Sequence, residues 1–245
     1  MLKTHPILRF LIGAAGAIAL LVLAIPINAD NRSRVENRLQ TPINIAILIQ
    51  DDLVSHVGNE LGVTREFIRS LPDGSEVLIG YITSGSLQVR ESFTADREKA
   101  AKALRVPISH ASAAPYNPYV EVLEGLRKFD SSAKNQNQNV ILLISDGLDT
   151  SRGFDASSVL HSVDLDRAIN EAKRRKVSVY SFFAPAVGVT SRSAFLASYG
   201  QSSLNRISHE TGGKAFFQGT TDFVTFNPYF DRLVTALNRS EVGDH

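Results

Sequence analysis

Apolar runs alternating with amphipathic stretches constrain this chain more than any other feature. Ile43 to Gln50, Glu76 to Thr83, Val140 to Ser145 and Val177 to Ala184 are short and dense in Val, Ile and Leu, as expected of strands buried on both faces. Leu87 to Phe93 alternates like an edge strand, joined to the one before it through a hairpin at Ser84-Gly85-Ser86. Between and after the runs, Gly58 to Leu71, Pro118 to Phe129, Val163 to Arg175, Phe195 to Glu210 and Tyr229 to Leu237 read as helices. A further helix opens after Thr94, which is expected to cap it. Thr211-Gly212-Gly213 ends the fourth of the five, and Lys214 to Gln218 adds a short strand. Such alternation predicts an α/β fold: three layers, doubly wound, a mostly parallel sheet with helices on both faces and one antiparallel edge strand.

Two of the runs stop at acids. The first leads into Asp51-Asp52-Leu53-Val54-Ser55, and the one beginning at Val140 leads into Ser145-Asp146-Gly147. In an open parallel sheet ligands bind outside the carboxyl ends of the strands, where the strand order reverses. These two loops are therefore the candidate site, with Leu53, Val54, Pro115 and Tyr116 forming an apolar rim or tucked beneath their own loops. Asp51 and Asp146 could equally fix those loops or cap helices through backbone N–H groups.

The 245 residues, 43% of them hydrophobic, suffice for one sizeable core. Lys and Arg number 26 against 25 Asp and Glu, so no nucleic-acid footprint is expected, and the Lys173 to Lys176 cluster suits a helix C-terminus. Zero cysteines exclude disulfides, Cys-held zinc and thiol nucleophiles. Lys3, His5 and Arg9 precede an unbroken apolar stretch from Phe10 to Ile25, then Pro26 and the small residue Ala29. Residues 1–29 read as an export signal; the alternative is an uncleaved membrane anchor at 10–25. Either places the remainder beyond the plasma membrane, periplasmic, secreted or anchored, with the membrane touched only through that segment. Residues 30–41 are expected to be a solvated tether, 42–240 the domain and 241–245 a tail.

Catalytic patterns are missing. There is no Gly-x-Ser-x-Gly elbow, and the nearest fragments, Ser84-Gly85-Ser86 and Gly200-Gln201-Ser202-Ser203, are expected in turns. His56, His110, His161 and His209 lack ligand-like spacing, and no dinucleotide fingerprint follows the first strand.

The ordered set Asp51 to Ser55, Pro115-Tyr116-Asn117, Ile141 to Gly147, Val177 to Tyr180 and Glu210 to Ala215 resembles von Willebrand factor A (vWA) domains, whose sheet is Rossmann-like. Within that family it is similar to exported bacterial VWFA-related proteins of acidobacterial type, over about Pro42 to Asn238, and the likeness implies further strands beyond Asn238. It also implies a metal-ion-dependent adhesion site of Asp-x-Ser-x-Ser, a Thr and a second Asp, since magnesium-like ions demand oxygen ligands in near-octahedral order. Here Asp51, Ser55 and Asp146 match, whereas Leu53 replaces the first Ser and Ala113 the Thr. The expectation is a degenerate site: no cofactor, or a weakly held magnesium or calcium ion at Asp51, Ser55 and Asp146, with Asp52 and Asp149 able to join a rearranged set. Function then falls to an exported, non-enzymatic protein-binding module whose partner face comprises Asp52, Leu53, Val54, Ser112, Pro115, Tyr116 and Asp149. The alternatives are a metal-dependent adhesion domain, a metal-assisted hydrolase and a self-associating assembly subunit.

Overall fold

A computed structural model describes residues 38–109, 116–129, 136–151, 162–218 and 224–242 of the chain, all within the compact unit Glu36–His245. The expected export signal, the first part of the tether, Ser112, Ala113, Pro115, His110 and His161 lie outside the described residues. No helix among the described residues is long and apolar enough to cross a membrane.

Among the described residues six strands form one sheet: β1 (Ile43–Gln50), β2 (Glu76–Thr83), β3 (Ser86–Thr94), β4 (Gln138–Ser145), β5 (Val177–Phe183) and β6 (Ala215–Phe216). Their order is β3-β2-β1-β4-β5-β6, with every pairing parallel except β2 with β3. The helices are α1 (Val57–Ser70), α2 (Arg97–Ala103), α3 (Pro118–Lys128), α4 (Val163–Arg175), α5 (Ala194–Glu210) and α6 (Asn227–Val242).

The period-2 pleat splits β1 between two cores. Ile43, Ile45, Ile47 and Ile49 pack on the face carrying α1, α2 and α6, whereas Ala46 and Leu48 pack on the face of α3, α4 and α5. An aromatic cluster fills the first core, with the Phe182 ring 5.0 Å from Phe230 and 5.2 Å from Tyr229. Because both faces are covered, the central strands need no polar side, and their uninterrupted apolar runs follow.

Several boundaries depart from expectation. Asp96 rather than Thr94 caps α2, accepting a hydrogen bond from the Lys99 N–H, while Thr94 accepts from Asp96. Gly200 to Ser203 lies inside α5, not in a turn. Gln138 and Asn139 belong to β4, against an expected start at Val140, and the Asn139 amide oxygen accepts from the Asn44 side chain at 2.9 Å. The end of the expected tether is part of the domain: Leu39 is buried in the first core, and Asn238 of α6 bonds both Arg38 and Gln40. α6 begins two residues earlier than expected and runs on to Val242.

After β1 the chain builds outward through β2 and β3, and from β4 it builds the other way through β5 and β6. The reversal falls between β1 and β4, and open α/β sheets bind their ligands at the carboxyl ends of the strands on either side of such a point.

Candidate functional site at the carboxyl end of the sheet

Asp51 and Asp146 leave neighbouring strands at the same level, Ile49 lying opposite Ile144 in the parallel register. Both side chains are 2% exposed, and their surroundings differ. Asp51 is met by Arg105, which arrives in the stretch after α2. Its two terminal nitrogens donate to the two carboxylate oxygens at 2.6 and 2.8 Å, a bidentate ion pair. The Ile108 N–H adds a third donor at 3.1 Å, and the Ser109 N–H donates to the Asp51 carbonyl. Arg105 is itself held: its guanidinium lies 4.0 Å over the Tyr81 ring, its backbone N–H donates to the Tyr81 hydroxyl at 2.7 Å, and that hydroxyl donates to its carbonyl at 2.5 Å. The hydrogen bonds it donates to Asp51 raise the Arg105 pKa above its ordinary value.

Among the described residues Asp146 meets no such cation. Its oxygens accept from the Leu148 N–H at 3.1 Å and the Thr190 hydroxyl at 3.2 Å, and Thr190 accepts in turn from the Ala186 N–H at 2.6 Å. Burial, and after it the charge of nearby Asp52, push its carboxyl up to about 7. Asp52 accepts from the Gln50 amide at 2.7 Å, and the Gln50 carbonyl accepts from the Ser145 hydroxyl at 2.6 Å, so one buried network links the ends of both strands. Helix α5 presses on this turn through glycine. A Cβ on Gly200 would stand 1.8 Å from the Asp146 carbonyl oxygen, and Gly147 takes a φ of +75° that side chains resist.

The loop after β1 is fixed against the loop after β5. Leu53 forms an antiparallel bridge with Ala186, the Val54 N–H donates to Pro185, and the Val187 N–H donates to Asp52. Leu53 is 0% exposed and Val54 is buried beside it, which favours the tucked alternative over the rim and corrects their place on the partner face. Bridging turns both side chains into the first core. Asp52 and Asp149 are also buried, against their place on a partner face. Asp149 orders its own loop, accepting from the Ser151 hydroxyl at 2.6 Å and from Ser162, the α4 cap, at 2.7 Å. Ser55 is exposed, as is His56. Half-buried Tyr116 exchanges hydrogen bonds with Thr150, and burial with the charges of Asp52 and Asp51 pushes its hydroxyl up to about 12.

The donor set fits a hard cation poorly. Both oxygens of Asp51 are taken by Arg105, those of Asp146 by an N–H and a hydroxyl, and Leu53 offers no oxygen. Among the described residues no cluster of three His, Asp or Glu could hold a metal ion. Sequence reading missed Arg105, Gln50 and Thr190; none belongs to a motif, and a lone Arg after a short helix carries no local signal.

No family model and no curated protein matches the sequence. Solved structures do. An aerotolerance-related membrane protein from Bacteroides fragilis, carrying multiple mutations to serines, superposes with a TM-score of 0.54 at 11% identity, covering 80% of this chain and 99% of that one. The conserved hypothetical protein BatB from Bacteroides thetaiotaomicron gives 0.54 and 11%, covering 83% and 100%. At that identity the likeness is one of fold. The architecture is three-layer, doubly wound α/β of vWA and Rossmann-like type, with one antiparallel edge strand.

Proposed function

We propose that this chain is an exported, non-enzymatic protein-binding module of vWA type, related to the VWFA-like bacterial proteins it resembles, and that it engages its partner with the carboxyl end of the sheet. One observation carries this reading. Among the described residues the exposed large hydrophobic side chains are Val106, Ile108, Val120, Val163, Phe195 and Phe217. All six sit at that end. Val106 and Ile108 flank the Arg105–Asp51 pair, Val120, Val163 and Phe195 occupy the first turns of α3, α4 and α5, and Phe217 follows β6. Ile108 and Phe195 are 58% and 59% exposed. Scattered apolar residues on a surface need no explanation, but their concentration on one end supports reading it as an interaction face.

The face therefore differs in membership from the sequence-based one: Val106, Ile108 and Phe195 supply the apolar contacts instead of Leu53 and Val54. The apolar stretch of residues 10–25 supports export, and the absence of a nucleophile elbow or dinucleotide fingerprint supports a binding role over an enzymatic one. The metal-dependent adhesion and hydrolase readings have weaker support, since Asp51 is already committed to Arg105. Capture from an extracytoplasmic extract tests the proposal: Ile108→Asp and Phe195→Asp should each lose partners that the unaltered protein retains. An identical set of captured partners would refute use of this face.

A further inference from the structure

We propose that Arg105 is the resident cation of this face, its guanidinium holding Asp51 as counter-ion where a divalent metal would otherwise be needed and fixing residues 104–109 over the end of β1. The inference goes beyond partner binding and does not depend on it.

Three features carry it. The pair is bidentate, with both oxygens of a carboxylate that is 2% exposed satisfied at 2.6 and 2.8 Å. An ionised carboxylate buried to this degree requires a positive partner, and a planar guanidinium matches both oxygens while carrying a weaker hydration shell than an ammonium. Second, the arginine has support besides the pair: the Tyr81 ring lies under the guanidinium at 4.0 Å, and the Tyr81 hydroxyl clamps the Arg105 backbone on both sides. A long side chain thereby gives up less freedom on pairing than an unsupported one. Third, the Ile108 and Ser109 N–H groups close on the Asp51 side chain and carbonyl, so the segment presenting Val106 and Ile108 is tied to the same carboxylate. Leu53, buried where a hydroxyl ligand would be required, is consistent with a site that no longer needs one.

The test uses the full chain. Its melting temperature should be the same in chelator and in added magnesium, calcium or manganese; a rise with any of these ions that chelator reverses would overturn the proposal. Arg105→Gln should lower the melting temperature by roughly 5–10 °C, because the buried carboxylate then lacks its cation. It should also speed hydrogen exchange in residues 104–109. Adding Asp51→Asn removes the stranded charge, so the double variant should recover much of that loss, a response a merely space-filling arginine would not give. If the double variant melts no higher than Arg105→Gln, the ion pair is not what holds the segment and the assignment fails.

Discussion

Asp51 and Asp146 follow adjacent strands at the same level and are equally buried, yet their partners differ. Asp51 is held in a bidentate ion pair by a guanidinium supported on an aromatic ring. Asp146 is served by a backbone N–H and a hydroxyl, stands near the charge of Asp52, and holds its proton up to about pH 7. Equal burial therefore does not give two acids at strand ends equal surroundings. What differs is whether another part of the chain delivers a cation with its own support, and among the described residues one arrives at Asp51 and none at Asp146.

The largest effect should come from the paired acid. Asp51→Ala strands the Arg105 guanidinium, 27% exposed, and the Ile108 N–H, and should cost about 2–4 kcal/mol in denaturant unfolding. A loss no larger than that of an ordinary surface substitution would break the comparison.

A smaller, pH-dependent effect belongs to Asp146. Its folded pKa of about 7 lies above the ordinary 3.8, so the folded state binds the proton more tightly. Its contribution to stability is complete below about pH 4, declines as pH rises, and is lost above about pH 7. Asp146→Asn keeps an acceptor for Leu148 and abolishes the titration. The stability of wild type relative to this variant should therefore fall between pH 4 and pH 8. Parallel pH curves for the two proteins would show that Asp146 is not under the strain its surroundings imply.

The smallest change tests the support under the arginine. Tyr81→Phe keeps the ring beneath the guanidinium but removes the hydroxyl that bridges the Arg105 N–H and carbonyl, and should cost about 1 kcal/mol. It should leave the difference between wild type and Asp146→Asn unchanged, which distinguishes the two carboxyl environments.

Much of the fold was legible because its signals are local. β1, β2 and α4 begin and end where the apolar periodicity and the flanking residues place them. The antiparallel edge at β3 was equally readable from its alternation and the Ser84-Gly85 turn. The α2 cap was misplaced by two residues because Thr94 and Asp96 are both good caps, and only backbone geometry chooses between them. The site was half legible. Two acids at strand ends follow from the pattern, but Arg105 stands 54 residues from Asp51 and Thr190 stands 44 from Asp146, separations across which no periodicity carries information.

The sequence alone determined that strands and helices alternate, that the central strands are covered on both faces, and that acids stand where β1 and β4 end. It could do so because backbone sterics and side-chain period act over a few residues at a time. Only the tertiary structure decided that Leu53 and Val54 turn inward, that the exposed apolar side chains gather at one end, and that a guanidinium rather than a metal-type oxygen cradle meets Asp51. Those outcomes depend on which distant segments pack together, and burial then magnifies each pairing by removing the water that would otherwise screen it.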